Sequence, residues 1–118
     1  MSWIDPLTNQ LEGYLKLTTL RENLVVSNMA NIDTPHYKTQ DINFEGALQH
    51  AAQGIHEAVD NPPVHQVQGL VERPDGNNVS LDRETMLLAE TQLQYRAGVE
   101  LLKQDFQSVQ MAIDERVP

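Results

Sequence analysis

Residues 82–113, DRETMLLAETQLQYRAGVELLKQDFQSVQMAI, decide how this chain is read. Within them Leu88, Gln92, Tyr95, Val99, Leu102, Phe106, Val109 and Ile113 recur at alternating steps of four and three, and seven of these eight positions are apolar. An apolar residue every 3.5 positions keeps one stripe of a helix turned toward a partner, so the spacing predicts a coiled-coil seam on a helix over 82–113. A repeat of that length implies left-handed supercoiling. Asp82 and Glu84 fall in the first turn, where carboxylates favour the positive helix end, and Ser80 or Asp82 marks the start. Met86, Ala89, Leu93, Ala97 and Leu101 flank the seam and widen the apolar surface beyond the needs of two strands, which predicts a second contact surface.

Working outward, Asp5 followed by Pro6 is a helix start, because Asp accepts from exposed amides and Pro at the first position has no amide to leave unpaired. Leu7, Leu11, Tyr14, Leu17, Leu20 and Leu24 then recur at steps of four and three, with Leu15, Val25, Met29 and Ile32 widening the stripe. The pattern predicts a helix over 6–31 that Thr34-Pro35 closes, with Gly13 as a mild interior weakness. The fold class that follows is all-α: one domain over 1–118 whose terminal helices pair as an antiparallel coiled-coil hairpin. Leu11, Leu17, Leu20 and Leu24 are expected on one side of the seam, facing Leu88, Tyr95, Val99, Leu102, Phe106, Val109 and Ile113.

Between the helices the 3.6-residue period disappears. Pro35, Pro62, Pro63 and Pro74 with Gly46, Gly54, Gly69 and Gly76 punctuate residues 33–79, and Arg73-Pro74-Asp75-Gly76-Asn77-Asn78 is a cluster of turn formers. So long a stretch inside a small domain predicts an irregular, in part disordered arm. Two short exceptions are Phe44–Gln53, with about two turns of helix, and Val64–Val71, with strand-like alternation. An isolated pair of helices cannot bury all the apolar side chains the two stripes carry, so neighbouring subunits are expected to cover the remainder.

Composition excludes several functions. Lys and Arg total 8 against 17 Asp and Glu, for a net charge of −9, which is the reverse of a nucleic-acid footprint and a poor match to anionic membranes. The chain has no Cys, hence no disulfide, thiolate metal site or Cys nucleophile. Its first residues lack the basic and apolar regions of a secretory signal, and no apolar run approaches the ~20 residues of a membrane span. His36, His50, His56 and His65 all lie in the middle segment without the i, i+4 spacing that places two imidazoles on one helix face, so no metal or cofactor is expected. Ser2, Ser27, Ser80 and Ser108 lack a nucleophile elbow, and Asp41 with Glu45 or Asp82 with Glu84 read as solvated or helix-end charges. No enzyme is indicated.

The most informative stretch is Ser27-Asn28-Met29-Ala30-Asn31-Ile32-Asp33-Thr34-Pro35-His36-Tyr37-Lys38. Asn28 and Asn31 share a helix face beside small residues, an arrangement in which amides can bridge to another backbone. This segment resembles the Ser-Asn-Ile-Ala-Asn-x-x-Thr-Pro-Gly-Tyr-Lys signature of the bacterial flagellar rod and hook proteins, departing from it at Met29 and at His36, where the family has Gly. Gly76-Asn77-Asn78-Val79-Ser80-Leu81-Asp82-Arg83-Glu84, followed by Leu93-Gln94-Tyr95-Arg96 and Val99-Glu100-Leu101-Leu102, is similar to the C-terminal pattern of the FlgB family of proximal rod proteins. The short length agrees, since hook and distal rod proteins insert large β domains between their terminal helices. Residues 50–72 have no useful match.

The resemblance implies a non-enzymatic structural subunit of the flagellar basal body. It would be exported through the flagellar type III apparatus and would polymerise in the periplasm near the inner-membrane ring, with copies of itself, other rod subunits, the ring and the export apparatus as partners. Asn28, Asn31, Thr34, Pro35, Tyr37 and Lys38 would shape an arm that reaches an adjacent subunit. Two alternatives remain open: the other short proximal rod protein, and an acidic helical adaptor or chaperone that binds a partner helix without polymerising.

Overall fold

The computed structural model describes residues 6–116, arranged as α1 (Pro6–Ala30), β1 (Gln40–Ile42), α2 (Phe44–Ala52), α3 (Glu57–Asp60), β2 (Val64–Gln66) and α4 (Leu81–Arg116). Local chemistry sets the ends of the two long helices. Ser80 caps α4: its hydroxyl accepts from the Arg83 amide at 3.3 Å and its carbonyl from the Glu84 amide at 3.0 Å. At the end of α1, the Asn31 side chain donates to Ser27 O at 2.8 Å and the Asn31 amide donates to the same carbonyl at 3.1 Å, satisfying it before Pro35 is reached. Asp5, the expected cap of α1, lies outside the described residues.

The terminal helices pack against each other antiparallel. Thr8, near the start of α1, donates to the Asp105 carboxylate late in α4, while Asn28 at the end of α1 meets Glu84 in the first turn of α4. They pack tightly at Gly98: a Cβ there would stand 2.8 Å from Leu15 Cδ2 and 3.1 Å from Tyr14 Cδ1. That contact accounts for a glycine in a helix interior, where it otherwise costs about 1 kcal/mol. The body is elongated, 71 × 25 × 17 Å, as a 36-residue helix of about 54 Å requires.

The middle segment departs from expectation. Residues 33–79 are not an irregular, partly disordered arm joining an all-α hairpin: β1 and β2 pair antiparallel with Gln40 opposite Gln66 and Ile42 opposite Val64, and α2 and α3 lie between them. The strand that begins at Val64 ends at Gln66, short of Val71. This segment also supplies most of the hydrophobic core, in which Leu17 of α1 is buried with Ile42, Phe44, Ala47 and Val59. Phe44 takes the edge of Tyr14 at 5.7 Å between centroids, and the Arg21 guanidinium lies 5.8 Å from its ring centre. Many prolines and glycines masked this order in the sequence, because Ile42 and Phe44 stand singly between polar neighbours and Val59 lies in a helix of only four residues.

The same core also takes residues of the predicted seam: Leu17 is buried in it, and Leu20 and Leu24 pack against it. On α4 the buried residues are Glu84, Leu87, Thr91 and Gly98, with Gln94 and Asp105 half-buried. This stripe has the heptad spacing too, but it is displaced by one residue, about 100° of rotation, from the stripe of Leu88 to Ile113. Bulk of apolar side chains selects one stripe; the small residue Gly98 and the polar partners waiting on α1 select the other.

Candidate assembly site

Two hydrogen-bonded nodes fasten the arm to the helices, and the motif residues build both. In the first, Asn28 is wholly buried and uses its full bonding capacity. Its Nδ2 donates to Gln40 O and to Glu84 Oε1, each at 2.9 Å, and its Oδ1 accepts from the Tyr37 hydroxyl at 2.9 Å and the Gln40 amide at 3.1 Å. One side chain therefore joins the end of α1, the edge of β1 and the start of α4. Beside it Arg83 donates to Glu84 Oε1 at 2.9 Å and to Asp41 Oδ2 at 2.9 Å, and Arg21 reaches the same Asp41 oxygen at 3.2 Å. Two arginines and two carboxylates cancel within a nearly dry cluster, which is what permits Asp41 and Glu84 to be buried. Asp41 was expected to be solvated, and its arginine partners on α1 and α4 hold it inside; Glu84 lies in the first turn of α4 as expected, buried there with Arg83 beside it and Asn28 of α1.

Burial raises the Glu84 carboxyl above the ordinary carboxylate range, with a smaller push from Asp41, against the opposing pull of Arg83 and the Asn28 amide. A carboxyl raised on folding binds its proton more tightly in the folded chain. Glu84 therefore burdens folding least below the ordinary Glu value of about 4.3 and increasingly as pH climbs through the raised folded value. Glu84→Gln removes this titration. The stability of that variant relative to the parent is expected to increase from about pH 4 toward neutrality, measured by urea melts at a series of pH values; a constant difference would show that Glu84 does not titrate across folding.

The second node centres on Asn77, also wholly buried. Its Nδ2 donates to Asn31 O and Thr34 O, both at 2.8 Å, and its Oδ1 accepts from the Val79 amide at 2.8 Å. The Thr34 hydroxyl donates to Asn31 Oδ1 at 3.0 Å, Arg73 donates to Ile32 O, and Lys38 bonds to Glu72 and to Gly76 O. Pro35 is exposed in the turn between them. Asn28 thus bridges to the Gln40 backbone of this same chain, while the Asn31 side chain turns back to Ser27 O in its own helix. Sequence reasoning missed Arg21; it met Asn77, Arg83 and Glu84 only within the Gly76–Glu84 resemblance, and Asp41 only as a surface carboxylate.

His36 stands in this second node with φ 64°, the left-handed conformation, donating its amide to Asp75 O at 2.9 Å. The turn keeps the geometry that suits Gly although a Cβ is present, and a left-handed non-glycine residue costs about 1–2 kcal/mol. His36→Gly is expected to raise the unfolding free energy by about 0.5–1 kcal/mol after the added freedom of the unfolded chain is subtracted, read from the urea midpoint. A loss of stability would mean that the imidazole packed against Gly76 outweighs the strain.

The remaining feature is the surface the nodes leave uncovered. Leu88, Val99 and Leu102 are half-buried, while Tyr95, Phe106, Val109 and Ile113 continue the same stripe in the open, with Phe106 54% and Ile113 51% exposed. Met86 and Leu93 on the flanking stripe are more exposed still. An apolar surface this continuous on a small chain is the mark of an interaction face. Among the described residues no helix is long and apolar enough to cross a membrane.

Comparison with known proteins agrees with the motif. The chain is 34% identical to the flagellar basal body rod protein FlgB of Cereibacter sphaeroides (strain ATCC 17029), over 84% of this chain and 87% of that protein. It is 31% identical to the FlgB of Salmonella typhimurium (strain LT2) over 75% and 78%, and 28% identical to that of Bacillus subtilis (strain 168) over 96% and 97%. No family model matches the chain. Paired terminal helices joined through this motif, with likeness along nearly the whole length, are those of a structural protein of the flagellar basal body rod. Within that class the chain belongs to the FlgB family.

Proposed function

We propose that this chain is a subunit of the proximal rod, polymerising through its terminal helices to build the shaft that connects the inner-membrane ring to the distal rod. It reaches the periplasm through the flagellar type III export apparatus and meets there copies of itself, other rod subunits and the ring. The observation that carries the reading is the outward apolar stripe of α4, from Tyr95 to Ile113, on a helix whose inner face is already occupied by polar contacts with α1. The buried nodes support it as well, because they fix the two helices and the arm as one rigid piece that can transmit torque.

Deleting the gene in the source bacterium is expected to abolish swimming and leave basal bodies with a ring and no rod, both restored by the intact gene. Leu102→Asp should fail to restore them while folding as the parent does by circular dichroism, since an unpaired charge in a contact surface is costly. Normal rods and swimming without the gene would refute the proposal and favour a non-polymerising adaptor.

A further inference from the structure

One inference deepens the polymerising reading just given and rests on it. Between α1, α2 and α4 lies an apolar cavity of about 250 Å³, walled by Leu7, Leu11, Leu48 and Leu101 and floored by Gly98, with no charged side chain among the described residues that line it. Gly98, whose missing side chain lets Leu15 and Tyr14 of α1 pack close, forms part of that floor. A cavity of roughly 150 Å³ with walls of this kind admits a benzene ring, so this one has room for a phenyl side chain.

The chain also carries the matching projection. Phe106 is the first residue of α4 beyond the Thr8–Asp105 contact, more than half exposed, with Val109 and Ile113 on the same face and no ionisable residue among the three. At 100° per residue, Phe106 and Leu101 point about 140° apart around α4 and are separated by about 7.5 Å along it. Phe106 therefore cannot turn into its own cavity. Nor can one partner meet both features at once across a twofold axis, because they face opposite ways, so a contact that joins them runs head to tail and does not close on itself as a dimer. Neither the residues that line the cavity nor Phe106, Val109 and Ile113 carry a charge, which lets two copies of a chain of net charge −9 meet there without setting carboxylates against each other.

We propose that Phe106 of one copy seats in the cavity floored by Gly98 of the next, and that this contact propagates the polymer. The absence of Cys from the sequence makes a clean test available. Ala97, at the cavity rim, and Gln110, one turn beyond Phe106, are both exposed. They lie about 20 Å apart on one helix, too far for a short bismaleimide to join them within a chain. Basal bodies are isolated from the source bacterium carrying Ala97→Cys with Gln110→Cys in place of the natural gene, treated with that reagent, and run on a denaturing gel.

The expected result is a ladder of dimers, trimers and larger species of this chain from the double variant and none from either single variant. Adding Phe106→Asp, at an exposed position where the fold tolerates it, should remove the ladder while the purified chain keeps the parent's helix content and urea midpoint. Dimers from a single variant would reveal a twofold contact and overturn the proposal. So would a ladder that survives Phe106→Asp, or cross-links only to a different basal-body protein, or incorporated subunits that give no ladder. Normal rods that contain none of this chain would instead overturn the polymerising reading on which the inference rests.

Discussion

Asn28→Ala is expected to lower the unfolding free energy by about 3–5 kcal/mol, the largest loss available from a single polar side chain here. Four partners lose their bond together: the Gln40 amide and carbonyl, the Tyr37 hydroxyl and the Glu84 carboxylate. Glu84 is the costliest of them, being wholly buried and left with Arg83 alone. A buried group without its partner loses about 1–3 kcal/mol, more when charged, and relaxation of the surface around Tyr37 recovers some of the sum. Urea unfolding at an unchanged slope would measure the effect, and a change below about 1 kcal/mol would show that the node is ornament to a fold held elsewhere. Because Asn28 joins three elements, the arm should detach from the helices in the variant. Faster hydrogen exchange at Gln40 and at the first turn of α4 would report it.

Leu17→Ala should cost about 3 kcal/mol, within the usual range of about 2–5 for a buried leucine. Leu17 has no exposed surface and touches a core whose other members, Ile42, Phe44, Ala47 and Val59, come from the middle segment. The location of the loss is more telling than its size. With the core between α1 and the middle segment, protection against hydrogen exchange should fall first in α2 and around Val59, while the Thr8–Asp105 end of the helix pair stays protected. Were the principal core the α1–α4 seam, both long helices would loosen together and α2 would follow passively.

The long helices and the bend between them were legible because their determinants are local. Pro6, Ser80 and the Asn31 amide act on their own or the adjacent turn, and an apolar period of 3.5 is visible in one dimension. The motif was legible as well, and Asn28 in it does reach another stretch of backbone, at Gln40. Its partner was not, because Asn28 and Gln40, or Asn31 and Asn77, meet only after the chain has folded. Asp41 was misjudged for the same reason: a carboxylate's solvation depends on which arginines arrive beside it, and Arg21 and Arg83 lie on helices separated by the whole arm.

By itself the sequence determined that two long amphipathic helices flank a proline-rich and glycine-rich middle, that the chain is acidic, and which family motif it carries. Only the tertiary structure decided which face of α4 turns inward. Counting large apolar residues identifies the stripe with most surface to bury and is silent about where it is buried. The inner face is chosen by close approach at Gly98 and by the charged partners gathered around Asn28, which rotate the richest stripe outward. Periodicity is a property of one helix, whereas rotation belongs to a pair, and the side chains that settle it come from opposite ends of the chain.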